Sequence, residues 1–353
     1  MKTWNTLKGA LLFFMLVFSK LLLVACSESE EDASGEATNN NGIDQGSNET
    51  YQIRLAHVVA EDHPFHLAAL EFKEEIEDKS EGRIEIELFP NGQLYGSERE
   101  AVEAVQLGNI EMSRVATPVI AGFIPEFSIF NLPFLFDTKE DAHDALDGEL
   151  GQALTDLLPD IDVVAFGFGE NGFRHILNNK KPIEKPEDIS GLTLRVIENK
   201  MYEDLFNSLG ANASPLGFGE TYTALQQGVF DGLDSEIAAA STAKFDEVLD
   251  YLTLSSHTYT PTITIIGEQY FESLPEDLQE ILAESTYNLN KRHREINMEY
   301  EEEGLRELEK AMEVNELTEE QREAFKEELQ PVFDKYTEIV GEDLIELAEN
   351  VIE

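Results

Sequence analysis

Apolar and polar positions change period repeatedly after residue 50, and those changes predict the elements of the chain. Ile53 and Leu55, followed by Val58-Val59, predict a strand, while Phe65, Ala69, Phe72 and Ile76 recur at helical spacing. Ile84, Ile86 and Leu88 alternate with charged residues as a half-buried strand does. Ser97-Glu98-Arg99-Glu100 has the form of a capping box opening a helix through Leu107, which Gly108 stops. The pattern then restarts. Residues 163–168 and 192–197 read as strands, 201–209 as a helix closed by Gly210, 218–228 as a short helix, and 262–266 as a further strand. After Ser273-Leu274-Pro275-Glu276-Asp277, helical spacing runs almost unbroken to about Val314. A helix of that length spans about 60 Å, so it is either kinked or crosses two domains. This β-α-β-α order predicts an α/β fold with largely parallel sheets in two lobes, joined by more than one crossover.

The first 50 residues read differently. Lys2 and Lys8 precede an apolar run over 10–18, Lys20 interrupts it, and Leu21-Leu22-Leu23-Val24-Ala25-Cys26 has the form of a bacterial lipobox. A signal peptide over 1–25, cut away before a lipidated Cys26, is expected. Cys26 is the only cysteine, so the mature chain keeps no thiol for disulfides, metal ligation or nucleophilic attack. The remainder of 26–50 is rich in Ser, Glu, Asn and Gly, contains no basic residue, and reads as a flexible linker. No later apolar stretch has membrane length, which predicts a body outside the membrane, held there by its lipid.

Composition narrows the function classes. Twenty-five Lys and Arg against 72 Asp and Glu give a formal charge of −47, which excludes nucleic acid as a partner, because such binding rests on clustered cations that release counterions. The same acidity makes carboxylate pairs uninformative as catalytic signals. There is no phosphate-binding Gly-rich loop followed by Lys-Ser/Thr, no His-Glu-x-x-His helix and no Gly-x-Ser-x-Gly elbow, so neither an enzyme nor a cofactor is expected. His57, His63 and His66 form the densest histidine group. Helix capping, core contacts or ligand contacts account for it better than a metal does.

The informative residues are arginines in apolar surroundings. Glu170-Asn171-Gly172-Phe173-Arg174-His175 follows an apolar strand, which places Arg174 in a loop near that strand's C-terminal end. Leu192-Thr193-Leu194-Arg195-Val196-Ile197 places Arg195 inside a strand. Open α/β sheets bind ligands at such strand ends, and two converging guanidiniums would clamp a carboxylate through their planar forks of donors. Arg195 taken alone is also compatible with an ordinary ion pair to one of the many carboxylates.

The segments Glu170-Asn-Gly-Phe-Arg174, Asn178-Asn-Lys-Lys-Pro-Ile183 and Lys185-Pro-Glu-Asp-Ile-Ser-Gly-Leu-Thr-Leu-Arg195-Val196 together resemble the central signature of TRAP (tripartite ATP-independent periplasmic) transporter solute-binding proteins, the DctP-like family. So do Leu209-Gly-Ala-Asn-Ala-Ser-Pro-Leu-Gly-Phe218-Gly-Glu220 and its continuation to Gly232, Asp62-His-Pro-Phe-His66, Phe89-Pro-Asn-Gly-Gln-Leu94, Asn131-Leu-Pro-Phe-Leu-Phe136 and Ser273-Leu-Pro-Glu-Asp-Leu-Gln279. The resemblance runs from about Tyr51 to past Val314. It implies a periplasmic-binding-protein-like fold whose two lobes, 51–170 plus about 261–300 and 171–260 plus about 301–353, are spanned by a long helix and close on a ligand cleft. It further implies capture of a small organic acid, delivered without ATP to small and large TRAP membrane subunits. In the family the arginine matching Arg195 holds the ligand carboxylate, the one matching Arg174 assists, and Phe218 lines the pocket. His57 falls at a ligand-contacting position of some members, and Asn199 lies just past the clamp strand. Where the family often has an amide that contacts ligand, this chain has Ser235, a single hydroxyl. The mature chain also lacks tryptophan, Trp4 being its only one, which argues against a Trp-walled cage for betaine-type ligands. Two other outputs share the binding step: docking on a sensor kinase or chemoreceptor, or a secreted lyase or hydrolase using His57, His63 or His175 as base.

Overall fold

The computed structural model describes residues 50–352, so the expected signal peptide, Cys26 and nearly all of the linker lie outside the described residues. Eleven strands join in one sheet: β1 (Tyr51–Ala56), β2 (Ile84–Phe89), β3 (Met112–Ala116), β4 (Val163–Ala165), β5 (Gly169–Asn178), β6 (Thr193–Val196), β7 (Asn212–Pro215), β8 (Gly232–Glu236), β9 (Tyr251–Leu254), β10 (Tyr259–Gly267) and β11 (Glu313–Glu316). Their main order is β2-β1-β3-β10-β5-β8-β6-β7.

This order has two similar halves. β2, β1 and β3 are parallel, as are β8, β6 and β7. Each parallel set meets one long antiparallel strand, β10 in the first half and β5 in the second. β5 and β10 pair antiparallel with each other, so these two strands carry the sheet from one half into the other.

The halves have partly separate cores. Ile53, Leu55, Ile84 and Ile86 pack beneath the helix Pro64–Lys79 through Phe65, Phe72 and Ile76. That helix begins where Pro64 pre-sets the first turn and His63 Nδ1 accepts the Phe65 N–H at 3.1 Å. His63 is therefore a cap, one of the roles its sequence position allows. Leu177, Leu233, Ile237, Phe245 and Leu252 form a core of the other half. The helix Glu276–Ala311 is 36 residues long and buries Leu278, Leu282 and Leu289 in the first core and Leu308 in the second. Of the two readings its length allowed, crossing both halves is the one realised. It stops short of Val314, because Met312 turns extended and Val314 enters β11 beside β9.

One further difference from the sequence expectations matters for the site. Arg174 lies within β5, not in a loop after an earlier strand. Glu170-Asn171-Gly172 looks like a break in sequence, yet its backbone is held by β10 on one side and by β8 and β9 further along. Gly172 takes φ +97° next to the register shift between Thr260 and Pro261, which lets an irregular strand continue. The C-terminal helices Glu319–Val340 and Glu342–Ile352 also reach back. The former packs on both Pro125–Asn131 and Lys200–Ser208, and the latter on Lys139–Asp147. Among the described residues no helix is long and apolar enough to cross a membrane.

Candidate functional site

A narrow cavity of about 30 Å³, room for roughly two ordered waters, lies where the two halves of the sheet meet. Val58, Val59, Glu98, Arg114 and Val119 come from the first half. Arg195, Ile197, Glu198, Phe218, Ser235 and Glu236 come from the second, and the connecting strand β5 adds Asn171 and Arg174. The strands β3, β6 and β8 each deliver a polar side chain at or near their C-terminal ends, where open α/β sheets leave room for a ligand.

The three arginines are held differently. Arg174 is 2 % exposed, and its Nε donates to Asp234 Oδ2, its Nη1 to Glu236 Oε1 at 2.5 Å, and its Nη2 to the Asp234 carbonyl at 2.6 Å. Its guanidinium also lies 5.2 Å from the Tyr202 ring centre. Burial opposes its charge, but Asp234 and Glu236 outweigh burial and raise its pKa. Arg114, 1 % exposed, donates through Nη1 to Glu98 Oε1 at 3.0 Å and through Nη2 to Asn171 Oδ1, while its Nε has no partner. Arg195 is 3 % exposed, and both Nε and Nη2 donate to one neutral acceptor, the Leu216 carbonyl, at 2.9 and 2.6 Å. Among the described residues it forms no ion pair with a carboxylate. Burial, and then the charge of Arg174, push its pKa down to about 10.

Acidic side chains share the lining. Glu98 accepts from Arg114 and, through Oε2, from the Ala116 N–H at 3.0 Å; burial nevertheless raises its pKa. Glu198 Oε2 accepts from Ser97 Oγ at 2.6 Å, joining the loop after β6 to the cap of the helix Glu98–Gln106 in the other half. Asn171 Nδ2 donates to Glu236 at 3.4 Å.

Of the residues singled out from sequence, Arg195, Arg174, Phe218 and Ser235 meet at this cavity. Ser235 Oγ has only a long 3.5 Å contact with the Glu236 carbonyl. Phe218, at the first turn of the helix Phe218–Gln226, is half-buried and stands edge-on to Phe245. His57 and Asn199 are outside the lining. His57 shares a 3.0 Å hydrogen bond with His66, packs edge-on to Phe65, and burial lowers its pKa to about 3. Asn199 caps the helix Lys200–Ser208 by accepting the Met201 N–H at 2.7 Å, and its Nδ2 donates to the Pro118 carbonyl at 2.6 Å, a tie between the two halves. Among the described residues no group of His, Cys, Asp and Glu is arranged to hold a metal ion. Arg114, Glu98, Glu198, Glu236 and Asn171 are site residues that the sequence reading did not single out.

Comparison with known proteins sets this geometry in context. Residues 55–339 match the family described as bacterial extracellular solute-binding protein, family 7, DctP. The C4-dicarboxylate-binding periplasmic protein DctP of Rhodobacter capsulatus is 35 % identical over 303 residues, covering 83 % of this chain and 88 % of that protein. The sugar acid binding protein DctPAm of Advenella mimigardefordensis, solved with galactonate, superposes with a TM-score of 0.83 at 33 % identity, covering 86 % of this chain and 99 % of that one. A TRAP periplasmic solute-binding protein of Sulfurospirillum deleyianum, solved with succinate, gives 0.82 at 32 % identity over 86 % and 99 % of the two chains.

Proposed function

Because the chain belongs to bacterial extracellular solute-binding protein family 7, DctP, the solute-binding proteins of TRAP transporters, we propose that it captures a small organic acid on Arg195 and delivers it to the small and large membrane subunits. The family is one of transport proteins, not of enzymes. Relatives solved with succinate or galactonate make a carboxylate the natural guest of the cavity.

Arg195 carries the reading. A guanidinium removed from water and bonded directly only to a carbonyl lacks a counter-charge in contact, Asp234, Glu236 and Glu198 favouring its charge only at longer range. A guest carboxylate supplies it, in the bidentate geometry the guanidinium fork favours. Arg174, already held by Asp234 and Glu236, supports the site by fixing β8, while Phe218 and Ser235 form its wall. Residues 51–170 plus about 261–300, and 171–260 plus about 301–353, act as two lobes hinged at β5 and β10, with the C-terminal helix Glu342–Ile352 returning to pack on the first. Closure removes water from the ion pair and is favourable only when a matched guest is present. Lipidation at Cys26 and the linker after it hold the body at the membrane.

Arg195→Gln tests this. Calorimetric titration with succinate, galactonate, malate and erythronate identifies which acid the unaltered protein binds. The variant should then lose about 2–5 kcal/mol of affinity for it, the range for removing one member of a buried charge pair. Unchanged affinity would remove Arg195 from the site.

A further inference from the structure

On the reading that Arg195 receives the guest carboxylate, we propose that the preferred guest carries one carboxylate and bears hydroxyl groups on the rest of its skeleton, and that dicarboxylates of equal size are poorer guests. The argument is a count of charges and of hydrogen-bonding roles. Arg114, Arg174 and Arg195 line the cavity together with Glu98, Glu198 and Glu236. Arg174 is held by two carboxylates, Asp234 and Glu236. Arg114 is held by Glu98, both of whose oxygens accept hydrogen bonds, as an ionised carboxylate does. That leaves one guanidinium, Arg195, without an acidic partner, and one carboxylate, Glu198, whose bond is to a neutral hydroxyl.

A first carboxylate on Arg195 therefore meets an unpaired cation. A second would meet none, and would enter beside Glu198 and Glu236, where like charges in a desolvated site repel. The same two side chains, with the scarcely bonded Ser235 hydroxyl, are acceptors that a guest's hydroxyl groups can donate to.

Two size-matched pairs test the charge without altering the protein: erythronate against malate, and succinamate against succinate, each titrated calorimetrically into the purified protein. In both pairs the single carboxylate should bind at least about tenfold more tightly, equivalent to 1.4 kcal/mol. Glu198→Gln, whose fold is checked by its melting curve, should narrow both ratios by improving malate and succinate. Malate and succinate binding as tightly as their partners, with Arg195→Gln abolishing both, overturns this inference and leaves Arg195 as the anchor. Erythronate and succinamate affinities that survive Arg195→Gln overturn the anchor and the inference with it.

Discussion

Arg174 and Arg195 look alike in sequence, yet their removal should have opposite consequences. Arg174→Met leaves Asp234 and Glu236 buried without their cation, so unfolding by urea should show a loss of about 3–5 kcal/mol, the usual result of breaking a buried pair from one side. Arg195→Gln strands no carboxylate, because its partner is the Leu216 carbonyl, and should leave the urea midpoint unchanged or higher while binding is lost. Equal destabilisation by both would mean that Arg195 also serves the fold. The principle that finds these two residues, an arginine among apolar neighbours of an acidic chain, applies equally to Arg114 in Met112-Ser113-Arg114-Val115-Ala116. That strand is buried at all five positions, so no alternation marks it as a strand, and its arginine goes unnoticed. Glu98, Glu198 and Glu236 are hidden for another reason: among 72 acidic residues, only position in the fold distinguishes three that line a cavity.

At the scale of elements, β5 is the strand on which the site and the sheet both depend. It carries Asn171 and Arg174, pairs with β10, β8 and β9, and contains Gly172 at φ +97°. A β-carbon at Gly172 would meet only ordinary contacts, the nearest being the Glu301 carboxylate at 3.7 Å, so the cost of Gly172→Ala is that of the backbone conformation. About 1–2 kcal/mol is expected, read from the denaturant midpoint. No change would show that β5 can relax to another conformation there. The glycine that makes this strand possible is also what makes it read as a loop. Long amphipathic periods are easier to interpret, and the helix Glu276–Ala311 is plain in the sequence because few breakers interrupt it. The short buried strands β3 and β8 lack such periods and emerge only from pairing with their neighbours.

The molecule as a whole should be sensitive to acid and responsive to salt. His57 and His175 are pushed down to about 3, and His63 and His293 well below their ordinary 6.5, in each case chiefly by burial. The unfolded chain therefore takes up these protons first, so the stability they contribute is intact above about pH 6.5 and is lost progressively toward pH 3. Glu170 adds to this from 4.5 down to about 2. Its burial is outweighed by His143, Lys139 and Tyr259, which hold it ionised in the folded state. The melting temperature should fall steadily from pH 7 to 4, and a flat profile would show that these histidines are protonated in the folded protein. Salt acts on capture instead. A chain of formal charge −47 repels an anionic guest at long range, and the distance over which it does so shrinks from about 10 Å at 0.1 M to about 3 Å at 1 M salt. The pair formed with buried Arg195 is screened far less. Raising salt should therefore speed association while leaving dissociation nearly constant, the reverse of an electrostatically steered encounter. Since Trp4 lies in the expected signal peptide, stopped-flow measurement needs an extrinsic label near the cleft. An association rate that falls with salt would mean that the potential around Arg195 overrides the acidic surface and draws the guest in from a distance.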